Sequence, residues 1–266
     1  MKQCLLITGA SSGIGYATAQ LFLQKGWQVY GISRSGSGPD GIIPLIADVG
    51  DSFAINNVIK QVMAEVGRID TVVHAAGIGG AGPIETFPLD EAEKIFRTNV
   101  NGALHLLQAT LPIMREQKRG TFVVVSSIAG LMGLPFHGIY SASKFAVEGM
   151  VEALRLELVG SGVNAVSVCP GDTQTPIIGN QYRSNALDVP LFYRDRFEKA
   201  DTAMKDSVAN GISADKIAAA IWQVVLMPHP KVRYPVGFWL QKAAPSLKRW
   251  LPSRLFEWTM RQYYGL

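Results

Sequence analysis

Tyr140 and Lys144 stand four residues apart in the run His137-Gly-Ile-Tyr-Ser-Ala-Ser-Lys-Phe-Ala-Val-Glu. In a helix that spacing puts a phenol and an ammonium on one face. A phenol with its ordinary pKa of about 10 is a weak acid-base catalyst at neutral pH. A fixed positive charge beside it favours the phenolate and lowers that value, so the pair is suited to protonating a carbonyl or deprotonating an alcohol. Taken alone, the same spacing also describes a surface tyrosine packed on a lysine stem. The rest of the chain decides between the two.

The elements that must position the pair follow from periodicity. Apolar, β-rich runs recur at Cys4 to Thr8, Gln28 to Ile32, Ile43 to Ala47, Thr71 to His74, Thr121 to Ser126 and Asn164 to Cys169. Helix-periodic stretches separate most of them: Ile14 to Gln24, Phe53 to Val66, Leu89 to Arg115 and Ala142 to Leu158. This alternation implies βαβ crossovers and an α/β fold, a doubly wound parallel sheet with helices on both faces. Ligands of such sheets bind beyond the carboxyl ends of the strands, where strand order reverses.

At 266 residues, with 48% hydrophobic residues, the chain suits one well-buried domain spanning 1–266. No apolar run reaches the roughly 18 residues of a membrane span, and the N-terminus does not resemble an export signal, so a cytoplasmic enzyme is expected. Cys4 and Cys169 lie in apolar strands and are expected as buried, reduced thiols. The four histidines are scattered and no Cys/His cluster has metal-ligand spacing, so no metal site is expected. The net charge of +4 is spread without a dense basic run, which argues against nucleic acid as a partner.

Thr8-Gly9-Ala10-Ser11-Ser12-Gly13-Ile14-Gly15 follows the first strand and opens the first helix. Glycines there let the backbone approach a pyrophosphate, and the unpaired amides of the helix start favour its charge. A ligand-free tight turn is the bland alternative. Together with Asn99 in Thr98-Asn-Val-Asn-Gly, Ser127 in Ser126-Ser-Ile-Ala-Gly, Tyr140-x-x-x-Lys144 and Pro170-Gly171, this loop resembles the short-chain dehydrogenase/reductase family over roughly residues 3 to 230. Within it, Gly130 to Phe136 running into Tyr140 looks like the 17β-hydroxysteroid and retinol dehydrogenase branch, a hint toward lipophilic carbonyls or alcohols.

The resemblance implies a single-domain Rossmann fold and four catalytic roles. Tyr140 resembles the general acid/base. Lys144 would lower its pKa and bond the nicotinamide ribose, Ser127 would position and polarise the substrate oxygen, and Asn99 would hold a water near Lys144. The cofactor is expected along Gly9, Ser11, Ser12, Gly13, Ile14 and Gly15, then Ala75, Ala76 and Gly77. Pro170 and Gly171 should wrap its nicotinamide end, with Thr173 or Thr175 near the carboxamide.

At the end of the second strand, Gly31 to Ser35 carries no carboxylate to meet ribose hydroxyls. Arg34 instead offers a guanidinium, flanked by Ser33 and Ser35, so NADP(H) is expected over NAD(H). The alternative is that Arg34 is an exposed loop cation. Asp48-Val49 matches the adenine-edge pair of the family, and Asp48 would equally cap the helix beginning near Ser52. His74-Ala75-Ala76-Gly77 departs from the family's Asn-bearing turn; His74 either substitutes for the missing amide or is a satisfied core histidine.

Ile177 to Gly211 mixes aromatics and charges with little periodicity before Arg196 and reads as a substrate lid inserted at about 177–211. From about 236 to 266, aromatics alternate with basic residues. This tail suits a flap over an apolar pocket or a subunit contact, favoured because prolines break it, and also a peripheral contact with anionic lipid. A homodimer or homotetramer is implied by the resemblance, with Ala142, Ala146, Val147, Met150 and Leu154 as an apolar contact face, unless these residues simply cover the sheet. The function expected is interconversion of a carbonyl and an alcohol on a lipophilic substrate. A 3-oxoacyl thioester reductase and a non-catalytic NADP(H)-binding scaffold or sensor are the alternatives.

Overall fold

A computed structural model describes residues 2–185 and 187–266. Ala186, inside the expected lid, and Met1 lie outside the described residues. The strands of the main sheet are β1 (Cys4–Thr8), β2 (Gln28–Ser33), β3 (Ile43–Ile46), β4 (Thr71–His74), β5 (Gly120–Val125), β6 (Val163–Pro170) and β7 (Arg233–Val236). All pair in parallel, in the spatial order β3-β2-β1-β4-β5-β6-β7. Order reverses between β1 and β4, and the register sets Thr8 level with Ile32 on one side and His74 on the other. That row marks the crevice where ligands of doubly wound sheets bind.

Helices close both faces: α1 (Gly13–Gln24), α2 (Ser52–Val66), α3 (Leu89–Phe96), α4 (Gly102–Glu116), α5 (Gly138–Glu157), α6 (Leu191–Ala209), α7 (Ala214–Leu226), α8 (Trp239–Trp250) and α9 (Ser253–Tyr264). Ile55 and Ile59 of α2, Leu106 of α4 and Val147 and Val151 of α5 pack with Leu6 and Val72 on one face. Phe22 of α1 and Ile217 and Ile221 of α7 pack with Leu5, Ile7 and Val73 on the other. Alternate residues of one strand serve opposite faces, as a pleat requires. Both cysteines are buried free thiols, with burial pushing the Cys4 thiol up to about 12. Among the described residues, no helix is long and apolar enough to cross a membrane.

Three elements differ from the sequence expectations. β7 was not foreseen, because Arg-Tyr-Pro-Val is short and lacks alternation. The single helix expected from Leu89 to Arg115 is two helices joined by a π-helical turn, Arg97–Asn101. The stretch from Ile177 to Gly211 is not irregular: α6 occupies its second half, burying Phe197, Ala200, Asp201 and Met204 at helical spacing. Its apolar positions are few and interleaved with charges, which hid the period.

Candidate active site

Tyr140 lies in the first turn of α5 and Lys144 one turn on, with Lys144 Nζ 5.8 Å from the centre of the Tyr140 ring. Nζ donates to the Val125 carbonyl (2.9 Å) at the carboxyl end of β5. Burial brings the Lys144 ammonium down to about 8, the Glu148 carboxylate opposing it. The Tyr140 phenol is pushed above its ordinary value by burial, against a hydrogen bond from Ser127. Lowering of that phenol by Lys144 is therefore not a property of the chain by itself, since the ammonium is turned to Val125 and desolvation outweighs it.

Ser127 lies two residues beyond the end of β5 and caps a single 3-10 turn, its Oγ accepting from the Ala129 N–H (3.1 Å). Accepting there leaves the hydroxyl proton for the phenol or for a substrate oxygen. Capping and a part in the site are thus one arrangement.

Asn99 sits in the π turn and is buried. Its Oδ1 accepts from the Ile78 N–H (2.9 Å), while Nδ2 donates to the Ile78 carbonyl (3.0 Å) and to Ser143 Oγ (3.0 Å). Ser143 Oγ in turn donates to the Tyr140 carbonyl (2.7 Å). The amide nitrogen is spent on protein partners, pinning the turn after β4 to the start of α5.

His74 resolves both of its readings. Thr8 Oγ1 accepts from the Ala75 and Ala76 N–H groups (3.2 and 3.1 Å) and lies 3.0 Å from His74 Nδ1. A hydroxyl that already accepts twice donates to Nδ1, which places the ring proton on Nε2. The imidazole thus ties β4 to β1, the task of the missing amide, while remaining a core residue. Burial holds its pKa down at about 3, and Nε2 faces the Thr98 and Asn99 carbonyls without closing a hydrogen bond on either.

The glycine loop fits a dinucleotide. Gly9 has φ +70° and Gly13 φ +54°, and a Cβ on Gly15 would fall 2.2 Å from the Gly9 carbonyl oxygen. Ser12 stands at the N-cap of α1 without a side-chain cap, leaving first-turn amides for an anion. A groove runs past Gly9, Ser11, Ser12, Gly13 and Ile14, then Ser33 and Arg34, Asp48 and Val49, and Ala75, Ala76 and Gly77. A second cavity, sharing Ile14, Ala75, Gly77 and Thr175 with the groove, holds Ser127, Tyr140, Lys144, Pro170, Gly171 and Thr173. Gly15 supports the loop from beneath, and Asn99 lies behind Gly77, where a Cβ would meet its Oδ1 at 3.3 Å and Lys144 Nζ at 3.6 Å.

Asp51, not Asp48, caps α2, accepting from the Phe53 and Ala54 N–H groups (2.9 and 3.1 Å). Asp48 accepts from the Gly50 N–H (2.8 Å) and keeps its place on the groove wall. Ser33 is not free as an extra donor, because its hydroxyl bonds the Ser37 carbonyl (3.2 Å). The groove also meets Lys94, Arg97 and Thr98, which nothing in the sequence pattern singled out.

A family model described as short chain dehydrogenase matches residues 3–186. The chain belongs to the short-chain dehydrogenase/reductase family. It is an oxidoreductase with a nicotinamide-cofactor fold, and its relatives extend over the whole length. It is 37% identical over 265 residues to a 3-ketodihydrosphingosine reductase of Bacteroides thetaiotaomicron, covering 99% of this chain and 98% of the relative. An NADPH-dependent 3-dehydrocapnine reductase of Ornithobacterium rhinotracheale is 31% identical over 246 residues, 87% of each chain. A 3-oxoacyl-[acyl-carrier-protein] reductase of Thermotoga maritima is 34% identical over 205 residues, 71% of this chain and 80% of that protein. Among solved structures, a short-chain dehydrogenase from Streptomyces avermitilis superposes with a TM-score of 0.83 at 29% identity, over 100% of this chain and 97% of the other.

The dehydrogenase's second cavity contains residues that the motifs did not announce. His137, three before Tyr140, lines it, and so do Asp172 and Gln181. Ile128, Leu134, Ile177, Ile178, Met204 and Val208 make most of the remaining wall apolar. Four of these, Ile177, Ile178, Met204 and Val208, come from the expected lid segment, and only folding brings them over the site.

Proposed function

We propose that the protein is an NADP(H)-dependent reductase of a lipophilic ketone, with Tyr140, Ser127, Lys144 and Asn99 as its catalytic group. The observation that carries the reading is the meeting of Tyr140, Ser127 and Lys144 in an apolar cavity that opens onto the glycine-loop groove. When bound, the nicotinamide supplies or accepts a hydride at the carbonyl carbon. The Ser127 hydroxyl orients the carbonyl oxygen and steadies its developing charge. Tyr140 delivers the proton to that oxygen in reduction and removes it in oxidation. Lys144, its ammonium close to titrating near neutral pH, offsets the charge left on the phenolate. Asn99 holds the first turn of α5 in register through Ser143.

Arg34 lines the groove at the end of β2, exposed and with no ion pair among the described residues. That supports recognition of a ribose phosphate, as does the NADPH dependence named in the 3-dehydrocapnine reductase relative. Thr175 is favoured for the carboxamide, since Thr173 Oγ1 already donates to the Gly171 carbonyl (2.9 Å). The substrate reading follows the names of two relatives, the 3-ketodihydrosphingosine and 3-dehydrocapnine reductases, rather than steroids or retinoids. The apolar wall supports it equally.

Reduction of a long-chain 3-ketone should be followed by NADPH absorbance, with dissociation constants for NADPH and NADH measured in parallel. Turnover with NADPH and its tighter binding is the expected result. NADPH binding without turnover on any ketone, including 3-oxoacyl thioesters, would leave the scaffold reading standing.

A further inference from the structure

The substrate cavity of the proposed reductase contains one carboxylate, that of Asp172, among the side chains that line it. A carboxylate beside a hydride-transfer site is unfavourable in two ways. Burial penalises its charge, and an anion near a developing alkoxide opposes the reaction unless something neutralises it. Burial does push the Asp172 carboxyl above its ordinary value. Its side-chain partner is neutral: Gln241 Nε2, reaching in from the first turn of α8, donates to Oδ2. Tyr264 of α9 is the ionisable side chain that faces it from the tail, and it brings no positive charge. Among the described residues no lysine, arginine or histidine nitrogen lies within ion-pair distance of Asp172.

His137 adds a second acceptor to the same cavity. Its Nδ1 lies 3.1 Å from the Gly80 carbonyl, which only accepts, so Nδ1 carries the proton and Nε2 carries the lone pair. Burial lowers its pKa and keeps the ring neutral. Tyr140, Ser127 and Lys144 are committed to the carbonyl end of the substrate and to the cofactor, Thr173 to the Gly171 carbonyl, and the remaining donors of the lining, Ser126, Thr175 and Gln181, are neutral. For the rest of the substrate the charged group on offer is thus the half-buried Asp172 anion, with His137 as a neutral acceptor, between largely apolar walls.

We infer that Asp172 is an ammonium subsite: the substrate is a lipophilic ketone with a protonated amine close to the carbonyl. The inference rests on the reductase reading and names the substrate class within it. A bound ammonium supplies the cation that Asp172 lacks and cancels the carboxylate's repulsion of charge on the reacting oxygen. Gln241 holds the carboxylate in place, so the tail helix takes part in substrate selection. His137 Nε2 is placed to accept from a hydroxyl or from the ammonium itself. A neutral ketone of equal chain length leaves the half-buried carboxylate without a cation and binds more weakly.

The test uses a long-chain 2-amino-3-ketone, its N-acetyl derivative and the corresponding plain 3-ketone, each with NADPH. A charge-assisted hydrogen bond predicts a kcat/KM for the amine about ten- to a hundredfold above those of both neutral analogues. In Asp172→Asn, which keeps an oxygen for Gln241 and the shape of the site, that ratio should collapse to near one. Tightly retained NADPH binding and an unchanged melting temperature exclude misfolding as the cause. Equal kcat/KM for the amine and plain ketone in the parent protein overturns the subsite while leaving the reductase intact. An undiminished preference in Asp172→Asn overturns it as well. Failure of all three ketones, with NADPH bound, is instead a failure of the reductase reading.

Discussion

In the proposed mechanism Tyr140 contributes only in the transition state, when a proton moves between the phenol and the substrate oxygen. Tyr140→Phe removes that proton and little volume, so NADPH affinity should persist while turnover on the ketone falls by about two to four orders of magnitude. Wild-type turnover in the variant would disprove the assignment. His74 carries the clearest pH signature at this scale. Its folded-state pKa of about 3 is depressed below the unfolded value of about 6.5, so the unfolded chain binds the extra proton. The stability due to neutral His74 is therefore complete above about pH 6.5 and is lost as pH falls from there toward about 3, by up to about 1.4 kcal/mol per pH unit. Urea unfolding between about pH 7 and about pH 4 should show this slope, and His74→Asn, which cannot titrate, should flatten it relative to the parent.

At the scale of elements, the π turn and α6 both serve the site by packing. The π turn sets Asn99 against Ile78 and Ser143, so a strand-end turn, a bulged helix and the start of α5 move as one unit. α6 contributes Met204 and Val208 to the cavity, while Asp201 is held by Arg183 (2.8 Å) and Lys205 (2.7 Å). Those contacts support a lid, proposed over about 177–211, whose second part is the helix α6 rather than irregular chain. NADPH together with the ketone should protect bonds in this segment from a protease, and neither ligand alone should do so. Equal cleavage rates in all states would remove the lid from the account. The exposed strip of α5, Ala142, Phe145, Ala146 and Gly149, is the surface proposed for subunit contact. Val147 and Leu154 turn inward to the sheet, so the contact face expected from the sequence divides between the two roles.

For the molecule as a whole, the tail has two faces. Tyr264, Phe256, Met260 and Ala244 pack with Ile128, Ala129, Met132 and Leu134, a cluster that also touches Tyr140, so α8 and α9 form an outer roof behind lining residues of the proposed catalytic cavity. Pro245 lies within α8 rather than ending it, and α9 begins just after Pro252. Outside, Trp239, Trp250 and Trp258 are 75%, 83% and 56% exposed. From residue 237 onward five cations face the single acid Glu257, a surplus equal to the +4 of the entire chain. This supports the peripheral contact with anionic lipid among the proposed roles of the tail. The protein should sediment with phosphatidylserine vesicles and not with phosphatidylcholine vesicles, and replacing Trp239 and Trp250 by Ser should abolish that without loss of the fold. Removing the tail outright is a poorer test, because its inner face belongs to the roof.

Periodicity and motif spacing were enough to read the parallel α/β sheet, the glycine loop, Ser127 and the Tyr140–Lys144 pair, because each depends on local chemistry: alternating burial, close backbone approach, and one helix turn between two side chains. Tertiary structure alone decided what surrounds them. It turned Lys144 toward Val125 and buried the phenol, gave Asn99 its partners at Ile78 and Ser143, and moved the capping of α2 from Asp48 to Asp51. It also brought Asp172, His137 and Gln241 from three separate segments to the substrate end. Desolvation and hydrogen bonding between residues distant in sequence leave no periodic trace, so the motif residues were legible along the chain while the groups that surround them in the cavity were set by the fold.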